Sequence, residues 1–459
     1  MTGFPRSAEE FYRLRDDRTN RCTSSHVYQD TACAVYLSPV TASRPEAQVM
    51  LMATANLLSR WCRSVTIVMR PAVIHPALGI GTGDLGERVI AQMKDADPFG
   101  RFQVTHTSDE PFQTALYIGE RGHGPHGPSS VFINASGWLA AISGEHPMSL
   151  PITTDRNWIG AIAAACLGVA QVFKIALGLP PSNYLREGVL DVFRLMWSSD
   201  TGQGPWPTDL SIGNILMVGA GSVGTSAAYC MRLTGLAGAI TIVDKDVVKV
   251  ENFNRSPLFG QSVFGWQKAK AVESFLNGSG LAPTGVPLWW NEFLLELTRS
   301  SFDFDVWLPL ANEFGVRRAM QYNTPPLMIH ASTGSNWGVN HGRHIPGRDD
   351  CLVDRFPDGA SPTFVCATGA VETPVVQMDA ALPFASLFAG VLITADLVRA
   401  QLPNYPQVPN FTLFDWYGPL DTIQAWDRKP RPDCICREQG PGFHNLFNSR
   451  TKHWHLFGP

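Results

Sequence analysis

Neither sign of charge dominates this sequence: 36 basic side chains stand against 40 acidic ones in 459 residues, a formal net charge of −4. That balance excludes the basic footprint of a protein that grips nucleic acid through its phosphates. Also lacking is an uninterrupted run of the roughly 20 apolar residues that span a bilayer. The stretch that comes nearest, Ile159 to Leu179, contains Gln171 and Lys174 and is rich in Ala and Gly, so it reads as a buried helix of a soluble fold. The first residues lack the apolar core of a secretory signal. Nine cysteines are scattered, mostly singly, inside apolar runs, the pattern of free thiols in a reducing cytoplasm rather than of a disulfide framework. No nucleic acid and no membrane is expected as a partner.

What is present is enough apolar material, 44% of the chain, for two or three cores of ordinary domain size. The Ser, Gly, Pro and Asp of Trp197 to Asp209 mark a linker between halves of similar length. Past it, Asn214 to Gly219 reads as a strand, Thr225 to Leu233 as a helix and Ala239 to Val243 as a second strand, a βαβ unit. Asp305 to Leu310 and Leu327 to Ala331 read as strands, Arg317 to Tyr322 as a helix, and Val375 to Leu402 as a long Ala-rich helical region. Such alternation predicts an α/β fold with a mostly parallel sheet covered on both faces. The first half echoes this: Gln48 to Trp61 is helical, Val65 to Met69, Ala115 to Ile118 and Val131 to Asn134 are strands, and the helix of residues 159–178 parallels the one after Val375. It has no Gly-rich turn. It is therefore either a degenerate copy of the second half or an unrelated α/β domain.

Gly219, Gly221 and Gly224 form a G-x-G-x-x-G turn between strand and helix. The first glycine permits the tight turn, the second lets backbone approach a phosphate, and the third lets helix and strand pack closely. A phosphate there meets the positive end of the helix dipole. Asp244, twenty residues past Gly224 at the end of the next strand, stands where an acid hydrogen-bonds a ribose hydroxyl. Taken alone, this unit suits NAD or FAD as well as ATP.

The next segment separates those nucleotides. Asp244, Asp246, Val248, Asn252, Asn254 and Arg255, followed by Gly265 and Lys268, resemble the ThiF/MoeB/ubiquitin-activating superfamily, whose members carry D-x-D-x-V-x-x-S-N-L-x-R-Q and then G-x-x-K. An oxidoreductase has no use for Asn252, Arg255 and Lys268 at these places. A triphosphate needs cations along its length, Arg as a planar fork and Lys as a point charge. The resemblance implies two Rossmann-like adenylation-type domains, degenerate over residues 1–197 and active over residues 210–437, with a crossover loop at about 333–370 and a tail at 438–459. It implies that Gly219, Gly221, Gly224, Asp244, Asp246, Asn252, Arg255 and Lys268 hold ATP, with Arg255 and Lys268 on the phosphates. Glu251 and Ser256 stand where the family has Ser and Gln. Asn312 stands where the family has the Asp that binds Mg²⁺. Glu313 replaces that carboxylate, or Asp246 helps, or the metal is held more weakly.

Cys366 lies in Thr363 to Ala370, where ubiquitin-activating relatives take the acyl group as a thioester from the crossover loop. A thiolate is a strong nucleophile and an acyl-adenylate a strong electrophile; the alternative is a packing role. Cys351 with Asp354, and Cys434 with Cys436, resemble an imperfect form of the family's paired zinc-binding cysteines; the alternative is simple exposed thiols. Cys22, Cys33, Cys62, Cys166 and Cys230 have no ligand spacing and read as packing. Arg13 and Arg15 are candidates for the arginine finger that relatives send into the paired domain's ATP site, or else they lie on a solvated helix face.

The plan is similar to compact bacterial ubiquitin-activating-like enzymes, some of which serve antiviral defence. A ubiquitin-like protein and a conjugating enzyme are the partners this implies, with the pair of domains that simpler relatives form as homodimers built within one chain. The rivals are a sulfur-carrier or peptide adenylyltransferase without a thioester relay, and a non-catalytic scaffold that binds a ubiquitin-like protein.

Overall fold

The computed structural model describes residues 3–434 apart from 22, 24–25, 108–111, 120–128, 154, 298–303, 313, 324, 335–336, 356–381, 404–405 and 407. The first half supplies strands β1 (Ala32–Leu37), β2 (Ser64–Val68), β3 (Arg101–Thr105), β4 (Thr114–Ile118), β5 (Ser130–Ser136), β6 (Leu139–Ser143), β7 (Gly188–Asp191) and β8 (Met196–Ser198). The second supplies β9 (Ser211–Val218), β10 (Ala237–Val243), β11 (Leu281–Val286), β12 (Val306–Pro309), β13 (Met328–Thr333), β14 (Gly338–His344), β15 (Phe411–Asp415) and β16 (Gln424–Trp426). The sheet orders are β3-β2-β1-β4-β5-β6-β7-β8 and β11-β10-β9-β12-β13-β14-β15-β16. Each sheet runs parallel through its first five strands and antiparallel through its last three. Both halves are thus Rossmann-like with one topology, and the first is a copy of the second in architecture. The strand β14 lies inside the range 333–370 expected to be a loop. Its pairing with β13 and β15 explains the difference, because the first of three antiparallel strands extends the sheet there.

Helices of the first half are α1 (Ala8–Arg15), α2 (Asp17–Arg21), α3 (Pro39–Ala42), α4 (Pro45–Ser59), α5 (Leu85–Ala96) and α6 (Ile159–Ala176); those of the second are α7 (Ser222–Thr234), α8 (Lys268–Leu276), α9 (Trp290–Leu297), α10 (Phe314–Tyr322) and α11 (Pro383–Arg399). By length and composition α6 could cross a bilayer, yet 94% of it is buried inside the protein. A helix apolar all round belongs in a core, and α6 packs against α4, α11 and β5. The related helix α11 packs on α7 and α6, with Gly390 against the backbone of Ser226 and Ala227. Phe173 of α6 meets Trp337 at 5.4 Å and Phe384 at 5.8 Å between ring centres. One continuous apolar core therefore draws on both halves. Polar contacts also cross the seam: Lys174 Nζ donates to the Gly418 carbonyl at 2.7 Å, and Arg399 donates to the Val192 and Phe193 carbonyls.

After β1 the first half has no glycine cradle. Ser38 Oγ accepts from Thr41 N at 3.1 Å and caps α3, which opens on Pro39. A capped helical turn thus follows β1 where a glycine turn follows β9.

The N-terminal helix is tied to this half from within. Arg15 is fully buried. Its guanidinium bonds Asp97 Oδ2 and Asp16 Oδ1, each at 2.6 Å, and the Ser59 carbonyl at 3.2 Å. Removing one partner of a buried ion pair strands the other charge, at a cost of about 3–5 kcal/mol. Asp97→Ala should lower unfolding stability by that order in chemical denaturation, with an unchanged slope against denaturant.

Candidate nucleotide site

The phosphate turn follows from β9 and α7. Gly219 has φ +104°, and a β-carbon on it would collide with Ala311 N; one on Gly224 would collide with Gly219 O. Gly221, by contrast, has nothing within 4 Å of where a β-carbon would be. The first and third glycines thus pack chain against chain, and the second opens outward. Gly221 caps α7 with no side-chain hydrogen bond, which leaves the first amides of this helix for an anion.

Asp244 closes the turn from the end of β10. Its Oδ2 accepts from Ala220 N at 2.7 Å and its Oδ1 from Asp246 N at 2.9 Å. Burial raises its carboxyl above the usual carboxylate range, against the pull of Lys268 and of these two amides. Next, Val247 and Val248 pair with Trp266 and Gln267 in a short antiparallel bridge. The bridge sets Lys268 N on the Asp246 carbonyl at 2.8 Å and Lys268 Nζ on Asp246 Oδ2 at 2.7 Å. The Asp246 side chain is 56% exposed, so the ion pair is weak and an incoming phosphate can take over the ammonium. One hydrogen-bonded run therefore links the glycine turn, Asp244, Asp246 and Lys268.

Asn252 ends a 3-10 turn, Val250–Asn252, and Arg255 lies in the turn that follows it. Asn252 Oδ1 accepts from Lys249 N at 2.9 Å. The Arg255 guanidinium, nearly buried, folds back on the Glu251 carbonyl and on Asn254 Oδ1. Asn312 is exposed two residues past Leu310, whose carbonyl carbon lies against Gly219, so it stands beside the phosphate turn. Glu313 lies outside the described residues. Among those described, no group of three or more His, Cys, Asp or Glu is placed to hold a metal.

The other expected residues divide. Cys366 and Cys436 lie outside the described residues, as does Cys22. Cys351 and Cys434 come together, buried rather than exposed, with their sulfurs 2.8 Å apart; the side chain of Asp354 is outside the described set. Cys33, Cys62, Cys166 and Cys230 are buried in the core, as expected of packing residues. Burial pushes all four thiols up, Cys62 to about 11, which removes the thiolate that chemistry requires. Arg15 is not an arginine finger: Asp16 and Asp97 hold it inside the first half. Arg13, on the same helix, is exposed. Both helices reach the segment that carries Arg255: Phe11 of α1 meets Phe253 at 6.2 Å between ring centres, and Thr19 Oγ1 of α2 accepts from Asn254 Nδ2 at 3.2 Å. No periodicity or motif marks Thr19 in the sequence.

The ThiF family model matches residues 207–282, the stretch that carries the glycine turn, Asp244, Arg255 and Lys268. Residues 207–282 are thus similar to the ThiF family. The model of the BilD N-terminal domain matches residues 32–187 of the first half. An uncharacterized protein, y4jF, of Sinorhizobium fredii is 28% identical over 240 residues, which cover 51% of this chain and 45% of that protein. Among solved structures, E. coli MccB with ATP is similar over 49% of this chain and 66% of its own, at 16% identity and a TM-score of 0.38. The complex of MccB with N-formylated MccA is similar over 49% and 67%, also at 16% and 0.38. The chain thus spans less than half of the curated relative and about two thirds of MccB.

Proposed function

We propose that this chain uses ATP to activate the C-terminal carboxylate of a ubiquitin-like protein, first as an acyl-adenylate and then as a thioester on Cys366. The observation that carries the first step is the hydrogen-bonded run from the glycine turn through Asp244 and Asp246 to Lys268, in a stretch similar to the ThiF family. Backbone amides of α7 would receive phosphate, Asp244 the ribose, and Arg255 and Lys268 the charge that develops as pyrophosphate leaves. The carboxylate oxygen attacks the α-phosphorus, and the bond from that phosphorus to the bridging oxygen of pyrophosphate breaks. Mg²⁺ would neutralise phosphate charge, held by Asp246 or Asn312 with waters. In the second step the Cys366 thiolate attacks the acyl carbonyl, AMP leaves, and the acyl group passes to a conjugating enzyme. A bacterial cytoplasm, where the thiols stay reduced, suits this chemistry.

A second reading shares the first step and lacks the relay: a sulfur-carrier or peptide adenylyltransferase. It is favoured by the inertness of the four buried core thiols. A non-reducing gel of the chain mixed with MgATP and a small β-grasp protein encoded beside it separates the two. A thiol-sensitive adduct that requires ATP supports the activating enzyme. Pyrophosphate release without an adduct supports the adenylyltransferase, and ATP binding without release leaves only the scaffold.

A further inference from the structure

The segment that carries Arg255 is held from the other half of the chain. Arg60, the C-cap of α4 in the first half, is 3% exposed. Its guanidinium crosses the seam and donates from Nη1 to the Phe253 carbonyl at 2.9 Å and to the Phe259 carbonyl, and from Nη2 to the Pro257 carbonyl at 2.9 Å. Asn56, one helical turn earlier, braces it: Asn56 Oδ1 accepts from Arg60 Nε at 3.1 Å, and Asn56 Nδ2 donates to the same Pro257 carbonyl at 3.0 Å. Among the described residues no carboxylate pairs with Arg60. Burial pushes its pKa down to about 10 despite the nearby Asp95, so it remains a cation at neutral pH. Asp95 itself grips the next turn, accepting from Ser262 N at 2.7 Å and Ser262 Oγ at 3.1 Å.

A buried cation satisfied by three carbonyls of a single turn fixes that turn in one conformation, because the guanidinium fork is planar and its donors are rigid. Arg255 lies between the carbonyls that Arg60 holds, at 253 on one side and at 257 and 259 on the other. The Thr19 contact to Asn254 adds a third anchor from the first half.

We propose that Arg60 is a positioning residue for the nucleotide site: through the backbone of residues 253–259 it holds Arg255 where the phosphates of ATP meet it, so that the half without a phosphate turn sets the affinity of the half that has one. This rests on the reading of the second half as an ATP site. Holding the turn before ligand arrives removes the ordering cost of binding. Lysine cannot replace the fork, and an apolar side chain of similar length supplies none of the bonds.

The test uses the full chain with MgATP alone in equilibrium dialysis, backbone hydrogen exchange over residues 253–262, and thermal unfolding, for Arg60→Met, Arg60→Lys and Asn56→Ala. Arg60→Met is expected to raise the Kd for ATP about tenfold or more and to speed exchange over 253–262. Arg60→Lys should fall between Met and the native chain, and Asn56→Ala should give a smaller shift in the same direction. Adenylation at saturating ATP should also fall, by less than in Arg255→Ala, because Arg255 is displaced rather than removed and the contacts of Lys268 are untouched. A lowered melting temperature with unchanged Kd in the folded fraction would show a purely structural role and overturn the proposal. If Arg60→Met does not fold, the Lys and Asn56 variants decide by the same shift. Should the native chain itself fail to bind MgATP, the ATP reading falls and this proposal falls with it; native binding with all three variants unshifted overturns the proposal alone.

Discussion

Replacing Arg255 or Lys268 with alanine should each lower ATP-dependent pyrophosphate release by about a hundred- to a thousandfold. The reason is where charge develops. As the bond to the leaving pyrophosphate breaks, negative charge gathers on oxygens that water no longer screens, and a preplaced cation is worth more there than in solution. Lys268 begins α8 and is pinned there by the pairing of residues 247–248 with 266–267, so its ammonium needs only to leave Asp246. Arg255 sits on a turn fixed at both ends and presents a fork rather than a point. Each loss should fall mainly on kcat, with a smaller rise in KM, because the contact strengthens as the phosphate bond breaks. Lys268→Arg should recover little, since a guanidinium cannot keep both the short bridge to Asp246 and the phosphate contact. The double variant should be less impaired than the product of the two single losses, as for groups that act together. The measurement is steady-state pyrophosphate release with the β-grasp partner, alongside the unfolding transition of each variant. Losses under about fivefold in both would place the phosphates elsewhere.

Cys366→Ala should abolish the thiol-sensitive adduct completely while leaving pyrophosphate release in the first turnover within about threefold of native. Removing a nucleophile is not a graded change, because alanine cannot form the bond at all. The core thiols offer no substitute: Cys33, Cys62, Cys166 and Cys230 are buried with raised pKa values, and Cys351 and Cys434 are buried against each other. Cys366→Ser makes the complementary case. An oxygen nucleophile should trap the acyl group slowly as an ester that survives thiol, visible on a reducing gel. An adduct that persists unchanged in Cys366→Ala would move the nucleophile to another cysteine, and the absence of an adduct from the native chain would favour the adenylyltransferase without a relay.

Much of this was legible in the residues. The βαβ unit, its glycine turn and the cations after it stand out because close backbone approach and phosphate chemistry tolerate few side chains, and they tolerate them only at set spacings. The strands β2, β4, β5, β9, β10, β12 and β13 carry buried apolar runs, so their alternation with helices reads as a parallel sheet; β1 escaped that reading, as did β3 and β11, which are only partly buried. The antiparallel additions β6 to β8 and β14 to β16 were less legible: β8 and β16 have three residues each, and β14 carries Asn340, His341, Arg343 and His344, a composition that resembles a loop until β13 and β15 pair with it. Arg15 misled for a different reason. It lies in a run of charges that looks solvated, and its fate is decided by Asp97, 82 residues further along the chain. Arg60 and Thr19 were invisible for the same reason. A lone arginine at a helix end reads as an ordinary C-terminal cation, and only the docking of the two halves shows the carbonyls it serves.

The most direct test of adenylation in the second half is ATP–pyrophosphate exchange, measured with labelled pyrophosphate, MgATP, the full chain and the β-grasp protein, with and without the last residue of that protein. The account predicts exchange that requires the intact C-terminus, persists in Cys366→Ala and falls in Arg255→Ala and Lys268→Ala. Exchange that is absent while ATP is bound, or that is indifferent to the C-terminus, would contradict it.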